Sequence, residues 1–172
     1  MKFLDVAPVL EALHRIFPPK GHEEKVPFLP LKQYHVLFLP VLSSVSSVNT
    51  TRLIEVVGHF PQVDKVVLCY LISVPRTLTI EGALPEEEEE AGKILAEVAR
   101  DLSQKGFEVQ TQVRRARLPV EEALKVIREV EADVVLLADD AFDSLDVAEG
   151  NYLFARPLSE KAPCEVILLH SV

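Results

Sequence analysis

Cysteine is scarce in this chain of 172 residues: the two present, Cys69 and Cys164, stand far apart and outside any CxxC or zinc-ligand spacing. That excludes a disulfide framework and a thiolate metal site. Both lie in apolar runs, where a cysteine acts as a small buried hydrophobe, and this fits a reducing, cytoplasmic setting. Long hydrophobic runs are missing too. The longest, around 36–42 and 66–74, fall well short of the ~20 residues a membrane helix needs. The N-terminus alternates apolar and polar residues and lacks the continuous core of a secretory signal. A soluble protein without membrane insertion is expected. Basic residues are outnumbered, 18 Lys and Arg against 27 Asp and Glu, for a formal net charge of −9. A nucleic-acid binder needs a basic face to release counterions. The one basic cluster, Arg114, Arg115 and Arg117, sits in a field that repels DNA, RNA and anionic lipid. His14, His22, His35, His59 and His170 show no metal spacing and no Ser or Cys partner at a nucleophile elbow. No enzyme is expected.

What is present is an alternation of strand and helix periods. Residues 34–41 form a short apolar strand, closed by Pro40 and a serine-rich loop. A helix over 49–60 carries Leu53, Val56, Val57 and Phe60 on one face, with Asn49 or Ser47 as its cap. A second buried strand covers 65–71. A loop with Pro75, Gly82 and Pro85 leads to a helix over 86–105, striped by Ala91, Ile94, Leu95, Val98, Ala99 and Leu102 and ended by Gly106. Residues 107–113 alternate as an edge strand does. Pro119 opens a helix with Val120, Ala123, Leu124, Ile127 and Val130 inward. A buried strand at 133–138, a helix ending near 161 and a strand at 165–170 complete the order. Apolar central strands between helices imply a parallel sheet covered on both faces, and right-handed crossovers make it doubly wound. Residues 1–33 stand outside this pattern as an N-terminal arm. Phe3, Leu4, Ala7, Leu10, Leu13, Ile16 and Phe17 give an amphipathic helix, followed by a proline-rich linker. It either packs back on its own domain, the simpler arrangement, or grips a partner protein.

Three stretches carry a family likeness. The first strand ends Leu39-Pro40-Val41. Residues 113–124 run strand, basic loop, then Pro-Val-Glu-Glu-Ala-Leu. The end reads Ala132-Asp133-Val134-Val135-Leu136-Leu137, then Ser159-Glu160 and Ala162-Pro163-Cys164 before an apolar strand. Over roughly 34–172 the chain resembles the universal stress protein family. The resemblance implies a five-stranded parallel sheet of order 3-2-1-4-5 with helices on both faces, and a homodimer joined through the last strand, Val166, Ile167, Leu168 and Leu169. It also implies a nucleotide site, and there the chain departs. ATP-binding members carry G-x-x-G, about nine residues, then G-[ST] after the fourth strand, where glycines let backbone amides close on phosphate. Here the leading positions are Ala138 and Ala141, the third falls near Gly150 or Tyr152, and Asp139, Asp140, Asp143 and Asp146 crowd the region. Each carboxylate close to a triphosphate is repelled by roughly 1–4 kcal/mol. The family's first-strand aspartate is replaced by Leu42. The expectation is a non-catalytic, homodimeric regulatory or scaffolding module of the stress response, with no cofactor and no bound ATP. The alternative is a protein that holds a nucleotide or small anion on the serine-rich loop.

That loop, Ser43, Ser44, Ser46 and Ser47, follows the first strand, where doubly wound sheets bind ligands and a helix N-terminus can hold an anion. Capping and turning the chain is the simpler role for these serines, since no glycine permits close backbone approach. Asp139, Asp140 and Asp143 offer oxygens to a hard cation, yet the spacing is common in solvated loops, and no metal is expected. The arginine cluster has ready partners in the glutamate run 86–90, itself a solvated helix start favoured by the helix dipole.

Overall fold

Unbroken apolar runs become the inner strands, because both of their faces are covered. Val36–Leu42 (β1) and Lys65–Ser73 (β2) are buried over nearly their whole length, as is Val134–Ala138 (β4). Glu108–Ala116 (β3), with its alternating exposure, and Glu165–Leu169 (β5) stand at the two edges. The sheet has the order β3-β2-β1-β4-β5 with every pairing parallel, as the sequence predicts. This computed structural model describes residues 33–42, 50–138 and 147–169, within one unit running from Gln33 to Val172. The expected N-terminal helix, the serine-rich loop and the acidic loop after β4 lie outside the described residues.

Among the described residues four helices connect the strands: α1 (Thr50–Gly58), α2 (Pro85–Gln104), α3 (Pro119–Glu129) and α4 (Val147–Lys161). Proline opens α2 and α3, where its missing N–H costs nothing, and acidic side chains fill both first turns. Gly106, at φ +95°, ends α2. Its amide donates to the Ser103 carbonyl and that of Phe107 to Leu102, the paired bonds of a left-handed C-terminal cap. The same bonds end α3, from Glu131 to Arg128 and from Ala132 to Ile127, although the left-handed position belongs to Glu131, at φ 52°.

The apolar stripes settle on opposite faces of the sheet. On one side α1 and α2 cover Leu37, Leu39 and Val41 of β1 with Val66, Leu68, Tyr70 and Ile72 of β2. On the other, α3 and α4 cover Phe38 and Leu42 with Val67, Cys69 and Leu71. One boundary differs from the sequence reading. β3 runs on through Arg114, Arg115 and Ala116, residues that look like a basic loop in the sequence. On an edge strand these charges find carboxylates on the covering helices, so the ladder to β2 continues unbroken to Ser73↔Ala116.

Candidate functional site

Strand order reverses between β1 and β4, and in open α/β sheets ligands bind beyond the carboxyl ends of the strands at such a point. The backbone there is opened by one residue. The Val36 carbonyl accepts from the Asp133 amide at 2.9 Å, so the even-numbered residues of β1 turn their N–H and C=O groups towards β4. Pro40 is one of them and has no N–H to give. Pairing of β1 with β4 accordingly stops at Phe38↔Val135, while pairing with β2 continues to Leu42↔Leu71. Beyond this proline the two central strands share no further ladder pairs.

Leu42 ends β1 with only 8% of its surface exposed, drawn into the cluster of Phe38, Leu71, Leu137, Phe154 and Leu158. Ala138 ends β4. Ser43, Ser44, Ser46 and Ser47 follow β1 and Asp139, Asp140 and Ala141 follow β4; both groups lie outside the described residues, as does the candidate cap at Asn49. Gly150 and Tyr152 fall within α4. Among the described residues no group of His, Cys, Asp or Glu could hold a metal ion. Burial pushes the Cys69 thiol up to about 12, which keeps it unreactive at neutral pH. No helix among the described residues is long and apolar enough to cross a membrane.

The arginines do structural work, as the simpler reading expected. Arg114 pairs with Glu129 at 2.6 Å from the end of α3. Arg115 binds Glu88 of α2 and also donates to the carbonyls of Ile80 and Gly82, at 3.1 and 2.7 Å. Arg117 donates to the Leu78 carbonyl at 3.0 Å. Arg115 and Arg117 thus hold the loop between β2 and α2 against the end of β3. The expected dimer strand is at the sheet edge, with Leu168 52% exposed and Val166 and Ile167 half-buried.

One constellation went unread in the sequence. At the amino end of the sheet, Asp133 Oδ2 accepts from the amides of His35 and Val36, at 2.7 and 2.8 Å. Asp64 Oδ2 lies 2.6 Å from His35 Nδ1, and this hydrogen bond, with the carboxylate's charge, raises the histidine pKa. The Tyr34 hydroxyl donates to Glu165 at 2.8 Å, and its pKa is raised by burial and then by that carboxylate. Three carboxylates, from the loops before β2 and β4 and from the first residue of β5, therefore fix the start of β1. Nothing local in the chain signals it, because Asp133 and Val36 are 97 positions apart. At the same end, Lys65, Gln110, Gln112, Glu129, Val130 and Glu131 line an open groove of about 390 Å³. Its polar lining lacks the apolar surface that holds small organic ligands.

No family model and no curated relative matches the chain. Solved structures do. A universal stress protein in complex with cAMP superposes with a TM-score of 0.57 at 12% identity, over 81% of this chain and 99% of that one. The universal stress protein of Archaeoglobus fulgidus in complex with dAMP gives 0.54 at 17%, over 79% and 98%. A universal stress protein family protein of Arabidopsis thaliana with AMP bound gives 0.52 at 12%, over 80% and 92%. The class is therefore a doubly wound α/β domain. More particularly, the chain has the universal stress protein fold, in agreement with the resemblance read from its residues.

Proposed function

We propose that this chain is a non-catalytic regulatory or scaffolding module with the universal stress protein fold, acting as a homodimer without bound ATP. The observation that carries this reading is Leu42. Where the resembling proteins place a nucleotide-contacting aspartate, an apolar side chain is packed into the core between β1, α3 and α4. Replacing it with a carboxylate would bury a charge without a partner, so the position is committed to packing. The sequence adds alanine at positions 138 and 141 and a net charge of −9, both unfavourable to a triphosphate. The exposed apolar Leu168 on β5 supports association through that strand.

A second reading has its own support. The similar structures carry cAMP, dAMP and AMP, so the carboxyl ends of β1 and β4, where strand order reverses, would hold a nucleoside monophosphate, which meets less repulsion than a triphosphate. Thermal melts of the full chain with Mg·ATP, AMP and cAMP separate the two. A ligand at a hundred times its dissociation constant adds about 2.7 kcal/mol of stability. The first reading expects no saturable shift with any of them. A shift with AMP or cAMP alone would establish the second, and one with Mg·ATP would overturn the first outright.

A further inference from the structure

We propose that the outer edge of β3 pairs with the same edge of a second copy of this chain, antiparallel, about a two-fold axis through Thr111. Among the described residues β3 pairs with β2 alone, in a register unbroken from Glu108 to Ala116. The ladder fixes which backbone groups are left over. The Val74 amide donates to the Ala116 carbonyl at 2.9 Å, so the even-numbered residues of β3 face β2. Val109, Thr111 and Val113 turn their N–H and C=O groups outward.

Sheets usually blunt such an edge with charge, proline or a bulge. Residues 109–113, Val-Gln-Thr-Gln-Val, contain no charge and no proline, and the register contains no bulge. The stretch from Glu108 to Arg114 also reads the same in both directions about Thr111, except that its two ends carry opposite charges. Antiparallel self-pairing centred on Thr111 sets Val109 against Val113, Gln110 against Gln112, Thr111 against itself and Glu108 against Arg114. The pairs formed by Thr111 with itself and by Val109 with Val113 join outward-facing residues only, so each can exchange both backbone hydrogen bonds. A register shifted by one step, centred between Thr111 and Gln112, would oppose outward residues to inward ones and form no ladder. One centred on Gln112 would set Val109 against Arg115 and Gln110 against Arg114. Backbone direction and side-chain chemistry select the same register.

The side chains are placed for it. Val113 is 41% exposed and Thr111 and Glu108 are exposed. The Arg114 side chain keeps 35% of its surface in solvent beyond its contacts with Gln112, Glu122 and Glu129. These contacts lie on the α3 face, where Gln110 also lies. A foreign peptide would have to match both the uncharged centre and the paired end charges, whereas a second copy does so by symmetry. The joined sheet would run continuously through both molecules.

The contact uses the edge opposite β5, so a chain engaging both edges would link dimers into a longer row, and the test isolates the β3 contact by disabling β5. Sedimentation velocity of full-length Leu168→Lys protein, whose β5 edge is disabled, should still show a dimer at micromolar concentration. Thr111→Lys in that background sets two ammonium groups against each other at the axis and should raise the dimer dissociation constant at least tenfold. Thr111→Val should preserve the dimer. Thr111→Pro removes an outward N–H that β2 does not use, so it should break the pair with the far-ultraviolet circular dichroism of the folded chain unchanged. A monomeric Leu168→Lys protein, a dimer indifferent to Thr111→Lys, or an assembly of that protein that grows past a dimer would each overturn the proposal.

Discussion

A single carboxylate oxygen, Oδ2 of Asp133, serves two successive amides at the start of β1. Charged acceptors make stronger hydrogen bonds than neutral ones, and an amide left without a partner loses more than the net value of the bond. Asp133→Ala should therefore cost about 1–3 kcal/mol in urea unfolding, the lower part of that range being expected because both amides are near solvent. Asp133→Asn keeps an acceptor oxygen and should cost less than half as much. Equal stability of the alanine variant and the native chain would show that water replaces the carboxylate. At this scale little was legible: Asp133 stood out only as part of a strand opening, and its partners are brought to it by the fold. Leu42 was legible only as an apolar residue in the place of the family's aspartate; its burial at the end of β1 is set by the fold.

Elements were easier to read than contacts, and their ends were read according to residue chemistry. Pro119 and Gly106 each have a narrow conformational range or an unusual one, so the start of α3 and the end of α2 were visible. The end of α3 was not, because Glu131 occupies the left-handed position that glycine usually takes. β3 was cut short for a related reason. Arginines signal a loop unless the carboxylates that neutralise them are known, and Glu88, Glu122 and Glu129 belong to other elements. The strained cap yields its own expectation. A non-glycine residue in the left-handed region costs roughly 1–2 kcal/mol, partly offset by the greater freedom of glycine in the unfolded chain. Glu131→Gly should accordingly raise stability by up to about 1 kcal/mol, or about 2–4 °C in melting temperature for a domain of this size. A lower melting temperature would mean that the Glu131 side chain contributes more at the rim of the groove than its backbone strain removes.

At the scale of the molecule, a doubly wound parallel sheet with both faces covered followed from the apolar inner strands and alternating helices, while the strand order came from the family resemblance. The unequal attachment of β1 to its two neighbours followed from neither, since it depends on which way the Pro40 nitrogen points. β1 is paired to β2 at seven register positions and to β4 at two. The fold therefore has a seam, with β1, β2 and β3 on one side and β4 and β5 on the other. Cooperative units tend to separate where the fewest bonds cross. In native-state hydrogen exchange, the β4 amides that face β1 should exchange as a group, through an opening that leaves the β2 amides protected. Exchange of both strands through a single global event would show that the apolar clusters on the two faces bind the halves into one unit. The consequence concerns how the domain could signal. Whatever binds at the carboxyl ends of β1 and β4 would lie across the seam and touch both halves. Its binding would register as a change in how often the halves separate, even with no visible change in the shape of either.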